Sequence, residues 1–229
     1  MPEGSAVQRM FSGIASRYDF ANRVLSLGLC VGWRDQLVAE TKAARPKTVA
    51  DLATGSGDVA FALRRELRKD CAIVGYDFCE PMLELGRVRA KKENVSLEFK
   101  AGDCMALPIA DASQDVVTIA YGVRNFEDRA KGLGELRRIL RKDGTLLILE
   151  FSQPSAWFQP FHFIHVRCVL PIAAGLLTGD FGAYKYLGTS IAGFPDAEGL
   201  TAELKAVGFG KVSHKRMLFG TVALHRAEA

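Results

Sequence analysis

Three apolar runs, each closing on an aspartate, recur at a fixed spacing in the first half of this chain, and they constrain its fold more than any other feature. They are Val49-Ala-Asp-Leu-Ala-Thr-Gly-Ser-Gly-Asp58, Ile73-Val-Gly-Tyr-Asp77 and Val95-Ser-Leu-Glu-Phe-Lys-Ala-Gly-Asp103. Asp51, Asp77 and Asp103 are 26 residues apart at each step, the length of one strand-and-helix unit. Successive units of this kind build an open α/β sheet of mostly parallel strands, whose ligands bind outside the carboxyl ends of the strands. Acids in register at those ends would line the crevice.

The first run carries a glycine turn. Gly55, Gly57 and Ala60 satisfy the dinucleotide fingerprint, with an acid about 20 residues further on. A dinucleotide would set its pyrophosphate on the helix opening there, where unpaired N–H groups and the helix dipole attract an anion. Asp58 occupies that place and Asp51 lies just below it, so two negative charges would crowd a phosphate. S-adenosyl-L-methionine has no phosphate and carries a sulfonium and an ammonium, which suit a turn lined by carboxylates and glycines. Asp77 can accept both ribose hydroxyls, and Asp103 the adenine amine with Cys104 beside the ring. The plainer alternatives are a first-turn helix acid for Asp58, a turn acid for Asp51 and solvated turns for the rest.

Further along, helices are expected at 58–69, at 80–92 after Glu80-Pro81, at 129–141 ending on Lys142-Asp-Gly144, and at 197–207. Strands are expected at Val116–Ala120 and Thr145–Glu150, with a closing antiparallel hairpin from Gly210–Met217 and Gly220–His225. With the first three runs these make a mostly parallel seven-stranded sheet. Residues 1–47 look helical and precede the first strand, so they are expected as a cap appended to a domain spanning 48–229. Between about 152 and 195 the rhythm breaks, and a segment that long inside a compact domain is read as an inserted helical lid.

Lys and Arg number 30 against 26 Asp and Glu, a net charge of +4 too small and dispersed to argue for nucleic acid. Cys30, Cys71, Cys79, Cys104 and Cys168 show neither C-x-x-C pairs nor histidine spacing, which supports no disulfide framework and no metal site. A reducing cytoplasm is the expected home. The stretch from Phe161 to Leu177 is apolar but broken by His162, His165, Arg167 and Pro171, so it is not expected to span a membrane.

The chain resembles the ubiquinone/menaquinone biosynthesis C-methyltransferases over nearly its full length. The matching segments include Val7–Asn22 with Leu25-Ser-Leu-Gly28 and Trp33-Arg34, Thr54–Asp58, Thr118–Asn125, Leu149–Ser152 with Pro154, Tyr186-Leu187, Ser190-Ile191, Phe194-Pro195 and Gly220–His225. The resemblance implies a Rossmann-like class I methyltransferase with cofactor contacts at Ser56, Asp77, Asp103, Cys104 and Ala120. At Ser56 the family usually has Thr, a mild departure. At Ala120 it usually has Ser, and a methyl cannot replace a hydroxyl hydrogen bond, so contact there must be through backbone or apolar atoms.

It also implies methyl transfer to a ring carbon of a polyprenylated quinol. Carbon attacks a sulfonium methyl only when a neighbouring hydroxyl is ionised, so such a site needs a stabilised phenolate oxygen, a dry pocket and a fixed approach. Arg124 and Asn125 supply a cation and an amide just after the fourth strand, and Tyr18 supplies a phenol able to relay a proton or orient the ring. Arg124 could instead be a clamp pairing with Asp19 or Asp128, and Tyr18 a core aromatic. His162 or His165 could serve as base, though packed or solvated histidines are commoner. The prenyl tail is expected among Trp157, Phe158, Phe161, Phe163, Ile164, Leu170, Leu176 and Leu177, with peripheral contact at the inner face of the membrane. An O- or N-methyltransferase of small phenols or amines, and an NAD-type dinucleotide-binding protein, stay as rival readings. Ring type, tail length and oligomeric state, a homodimer included, are left open.

Overall fold

The structure is a computed structural model that describes residues 26, 28–164 and 181–229. A seven-stranded sheet runs through it in the order β3-β2-β1-β4-β5-β7-β6. The strands are β1 (Thr48–Leu52), β2 (Ala72–Asp77), β3 (Glu98–Ala101), β4 (Gln114–Ala120), β5 (Leu140–Phe151), β6 (Val212–Met217) and β7 (Val222–Glu228). β1 to β5 are mutually parallel, while β7 lies antiparallel between β5 and β6. The expected sheet and closing hairpin are both present.

The helices are α1 (Leu29–Ala43), α2 (Asp58–Glu66), α3 (Glu80–Glu93), α4 (Arg129–Ile139), α5 (Gln159–Ile164), α6 (Phe181–Ala192) and α7 (Ala197–Ala206). Alternate strand residues feed two cores, as a pleated strand dictates. Val49, Ile73, Val116, Leu147 and Leu149 pack with Leu37 of α1, Phe61 of α2 and Leu83 of α3. Ala50, Leu52, Val117, Ile119 and Ile148 pack with Leu133 of α4 and Leu200 of α7 on the opposite face. Right-handed crossovers place helices on opposite faces only where strand order reverses, and here it reverses between β1 and β4. The crevice at their carboxyl ends is therefore the ligand position this topology creates.

Several expected boundaries differ. α1 buries Leu37 and Val38 in the sheet core, so over this stretch the chain is a covering layer, not an appendage; the expected cap before residue 26 lies outside the described residues. α2 stops at Glu66, because Leu67 is extended and Arg64 bonds the carbonyls of Leu67, Arg68 and Cys71 in the exit turn. α4 stops at Ile139 instead of running to 141. Its last carbonyls are taken by the amides of Ala112 and Ser113, and Leu140 already pairs with Gln114 as strand. Lys142-Asp-Gly144 thus bends within β5, with Asp143 left-handed at φ 63°, and does not cap a helix. The third strand is shorter than its apolar run, leaving Asp103 in the turn beyond it. The described part of the expected lid holds α5 and α6, and no described helix is long and apolar enough to cross a membrane.

Candidate active site

After β1 the chain turns through Ala53, Gly55 and Gly57 with φ of 48°, 55° and 88°. Such left-handed angles favour glycine, and at Gly57 space demands it as well. A Cβ on Gly57 would lie 2.6 Å from the Phe99 ring, and one on Gly55 3.1 Å from Met82 Cε. The turn is tied down by Thr54 N donating to Tyr76 O at 3.0 Å and Gly57 N to Thr54 O at 2.9 Å. Ser56, within it, is buried.

Asp77, at the end of β2, braces this turn. Its Oδ2 accepts from Gly55 N at 2.8 Å and its Oδ1 from Cys79 N at 2.9 Å. Each carboxylate oxygen has a second lone pair, so capacity remains for further donors. Burial pushes its carboxyl up, opposed by the amides of Cys79 and Gly55. Asp51 is buried and held by two hydroxyls, Thr54 Oγ1 at 2.6 Å and Thr118 Oγ1 at 2.7 Å. Burial pushes Asp51 up to about 6 against those two bonds, and repulsion from Asp77 and Asp58 adds to the rise. The site accordingly concentrates negative charge that a cation would relieve.

Asp58 stands in the first helical turn after the glycines. It opens α2 with an exposed carboxylate paired to Arg34 of α1 at 2.5 Å, with Arg89 at 3.8 Å. These two cations offset its charge, and the pair with Arg34 ties α1 to the start of α2. Asp103 is exposed, and its Oδ1 accepts from Met105 N at 2.8 Å. Cys104 beside it is half-buried, and its thiol is pushed up by burial and by Asp77 and Asp103. It is a neutral thiol suited to an apolar ring contact.

The end of β4 adjoins the glycine turn: a Cβ on Gly122 would meet Ala53 Cβ at 2.6 Å. Ala120 closes the strand, Tyr121 turns with φ 56°, and Val123–Asn125 form a single 3₁₀ turn. Arg124 is an ion-pair partner of Glu150 at the end of β5, at 3.0 Å, with side-chain exposures of 2% and 1%. Its Nη1 also donates to Tyr121 O, and its backbone N donates to Glu150 Oε2 at 3.2 Å. The clamp that sequence reasoning placed on Asp19 or Asp128 is therefore made by Glu150. Asp128 instead caps α4 through Lys131 N, and Asp19 lies outside the described residues. Asn125 Oδ1 accepts from the phenol of Tyr186 on α6 at 2.9 Å. Tyr18 and His165 lie outside the described residues, and His162 is on α5.

A sequence model described as the ubiE/COQ5 methyltransferase family matches residues 2–229. The chain belongs to that family. It is an S-adenosylmethionine-dependent methyltransferase. It is 43% identical to the demethylmenaquinone methyltransferase of Deinococcus radiodurans over 223 residues, covering 97% of this chain and 92% of that protein. To the ubiquinone/menaquinone biosynthesis C-methyltransferase UbiE of Geotalea uraniireducens it is 40% identical over 229 residues, covering 99% and 97%. Among solved structures, a SAM-dependent methyltransferase from Thermotoga maritima superposes with a TM-score of 0.64 at 18% identity, covering 96% of this chain and 98% of that one. At that identity the likeness speaks for the fold.

The methyltransferase's residues fit its cofactor: glycines whose Cβ space is filled, a braced acid with spare lone pairs at Asp77, and a buried acid at Asp51 whose ionisation a cation favours. Sequence reasoning missed Thr54 and Thr118 as holders of Asp51, Glu150 as partner of Arg124, and Tyr186. The available signal was a glutamate ending the apolar run Leu146–Leu149, where a buried charge needs a partner.

Proposed function

We propose that this methyltransferase methylates a ring carbon of a polyprenylated quinol, a demethylmenaquinol or a 2-methoxy-6-polyprenyl-1,4-benzoquinol. The observation that carries the reading is the contact between the glycine turn and the Gly122–Asn125 turn, which sets an amide and a buried cation beside the cofactor position. The names of the relatives support the substrate class. Asp77 holds the ribose, Asp103 and Cys104 the adenine, and Gly55, Ser56, Gly57 and Asp51 the methionine half, with Ala120 in backbone or apolar contact. Asp58 acts through Arg34 by fixing the start of α2. The bound cofactor supplies an electrophilic methyl group.

The protein's part is to make the acceptor carbon nucleophilic by holding its neighbouring oxygen as an anion. Asn125 donates to that oxygen, and Arg124 supplies positive charge from behind. Glu150 pairs with Arg124 and holds its guanidinium at this turn. Tyr18 relays the proton or orients the ring.

The prenyl tail runs toward an exposed aromatic surface. Trp157 and Phe161 are 62% and 64% exposed, and Phe219 from the β6–β7 turn joins them, its ring 5.1 Å from Trp157 and 4.9 Å from Phe158. An exposed aromatic surface supports work at the inner face of a membrane, where such a tail resides. Each methylene buried there contributes about 0.8 kcal/mol, so a few isoprene units outweigh the ring contacts. The test is a labelled methyl donor with membrane quinone extract, then kcat/KM for quinols with two isoprene units and with none. Label on a ring carbon and a higher kcat/KM for the prenylated quinol are expected. Label confined to the oxygen or nitrogen of small acceptors would overturn the reaction, and equal kcat/KM values would overturn the tail site.

A further inference from the structure

We propose that Tyr186 is a positioning residue that sets which way the Asn125 amide faces, and so presents its NH₂ group to the acceptor oxygen. The inference rests on the quinol reading above, and the juxtaposition behind it is one that sequence proximity cannot make. Tyr186 comes from α6 and Asn125 from the turn after β4, 61 positions apart, yet the phenol donates to Asn125 Oδ1 at 2.9 Å.

An amide side chain is nearly symmetric in shape and can rotate by half a turn, exchanging an acceptor for two donors. A phenol donates well, and an amide carbonyl accepts better than a phenol does, so the favourable pairing is hydroxyl to carbonyl. With Oδ1 held by Tyr186, Nδ2 turns away from α6. Asn125 is only half-buried, and its backbone is fixed because its N donates to Gly122 O at 3.0 Å. The remaining freedom is that side-chain rotation, which the Tyr186 bond removes. Burial raises the Tyr186 phenol, which keeps it protonated and able to donate. A donor aimed before the reaction begins costs no reorganisation in the transition state, whereas an amide with no fixed partner must be turned and held as the anion forms.

Tyr186→Phe keeps the ring and removes only the hydroxyl, so it is the informative variant. We compare the intact enzyme, Tyr186→Phe, Asn125→Ala and the double variant, measuring kcat and KM for a prenylated quinol and Kd for S-adenosylhomocysteine. Tyr186→Phe is expected to lower kcat about tenfold, the effect of one lost hydrogen bond. KM and S-adenosylhomocysteine affinity should stay within about twofold, because neither depends on an oriented donor in the transition state. Asn125→Ala should lower kcat further, and the double variant should be no slower than Asn125→Ala, since Tyr186 has nothing left to orient. Losses that multiply in the double variant, an unchanged kcat in Tyr186→Phe, or a change mainly in KM would each overturn the proposal. Failure of the quinol reading itself appears elsewhere, as an unmutated enzyme that does not turn the quinol over.

Discussion

Asp51 offers a direct test of the charge balance in the cofactor site. Its ordinary value is 3.8, and burial raises it to about 6. An acid raised on folding favours the native state most below its unfolded value, and that contribution is lost as pH rises through about 6. A cation bound beside Asp51 reverses the preference, because it stabilises the ionised form. At pH 5 only about a tenth of a group with a pKa near 6 is ionised, against about nine tenths at pH 7. If the bound cofactor returns Asp51 to its ordinary value, affinity for S-adenosylmethionine should be about tenfold weaker at pH 5 than at pH 7. Binding at pH 6 should release about half a proton, measurable by calorimetry in buffers of different ionisation enthalpy. Asp51→Asn keeps the shape and an acceptor for Thr54 or Thr118, and should abolish both the pH dependence and the proton release. An unmutated enzyme with no pH dependence between 5 and 7 would refute the reasoning. So would an Asp51→Asn variant that keeps the tenfold loss, because the titrating group would then be another.

Asp77→Ala removes the acceptor assigned to the ribose and also frees the amides of Gly55 and Cys79. Charge-assisted bonds of about 1.5–3 kcal/mol each make a loss of S-adenosylhomocysteine affinity on the order of 100-fold or more the expected calorimetric result, and near-normal affinity would remove Asp77 from the site. Arg124→Ala leaves Glu150 buried without its cation, so it should cost about 3–5 kcal/mol of folding stability by urea denaturation as well as turnover. Adding Glu150→Gln should recover part of the stability but not the turnover. Full stability in Arg124→Ala would mean that the pair does not clamp the turn, and full turnover would make Arg124 a scaffold residue only.

Local regularities in this chain were enough to determine the repeating units. Apolar runs of strand length, acids at a constant interval and Pro81 at a helix start dictate βα repeats, since periodicity and cap chemistry act within a few residues. The glycine turn was legible for the same reason: Gly55 and Gly57 adopt backbone angles that other residues avoid. Where the outcome depended on what approaches from afar, the linear order was silent. Nothing near Asp58 in the chain announces Arg34, nothing near Arg124 announces Glu150, and the half-buried amide of Asn125 is met by a phenol from α6. Even the ends of α2 and α4 were settled by distant or exit-turn carbonyl partners rather than by helix propensity. Charges and polar groups taken out of water must find partners at a few ångströms, and which partners are near follows from the strand order β3-β2-β1-β4-β5-β7-β6. Composition and spacing therefore determined what kind of crevice forms and which acids stand near its strand ends. Only tertiary packing decided which of those groups are neutralised, which are raised and which way they face.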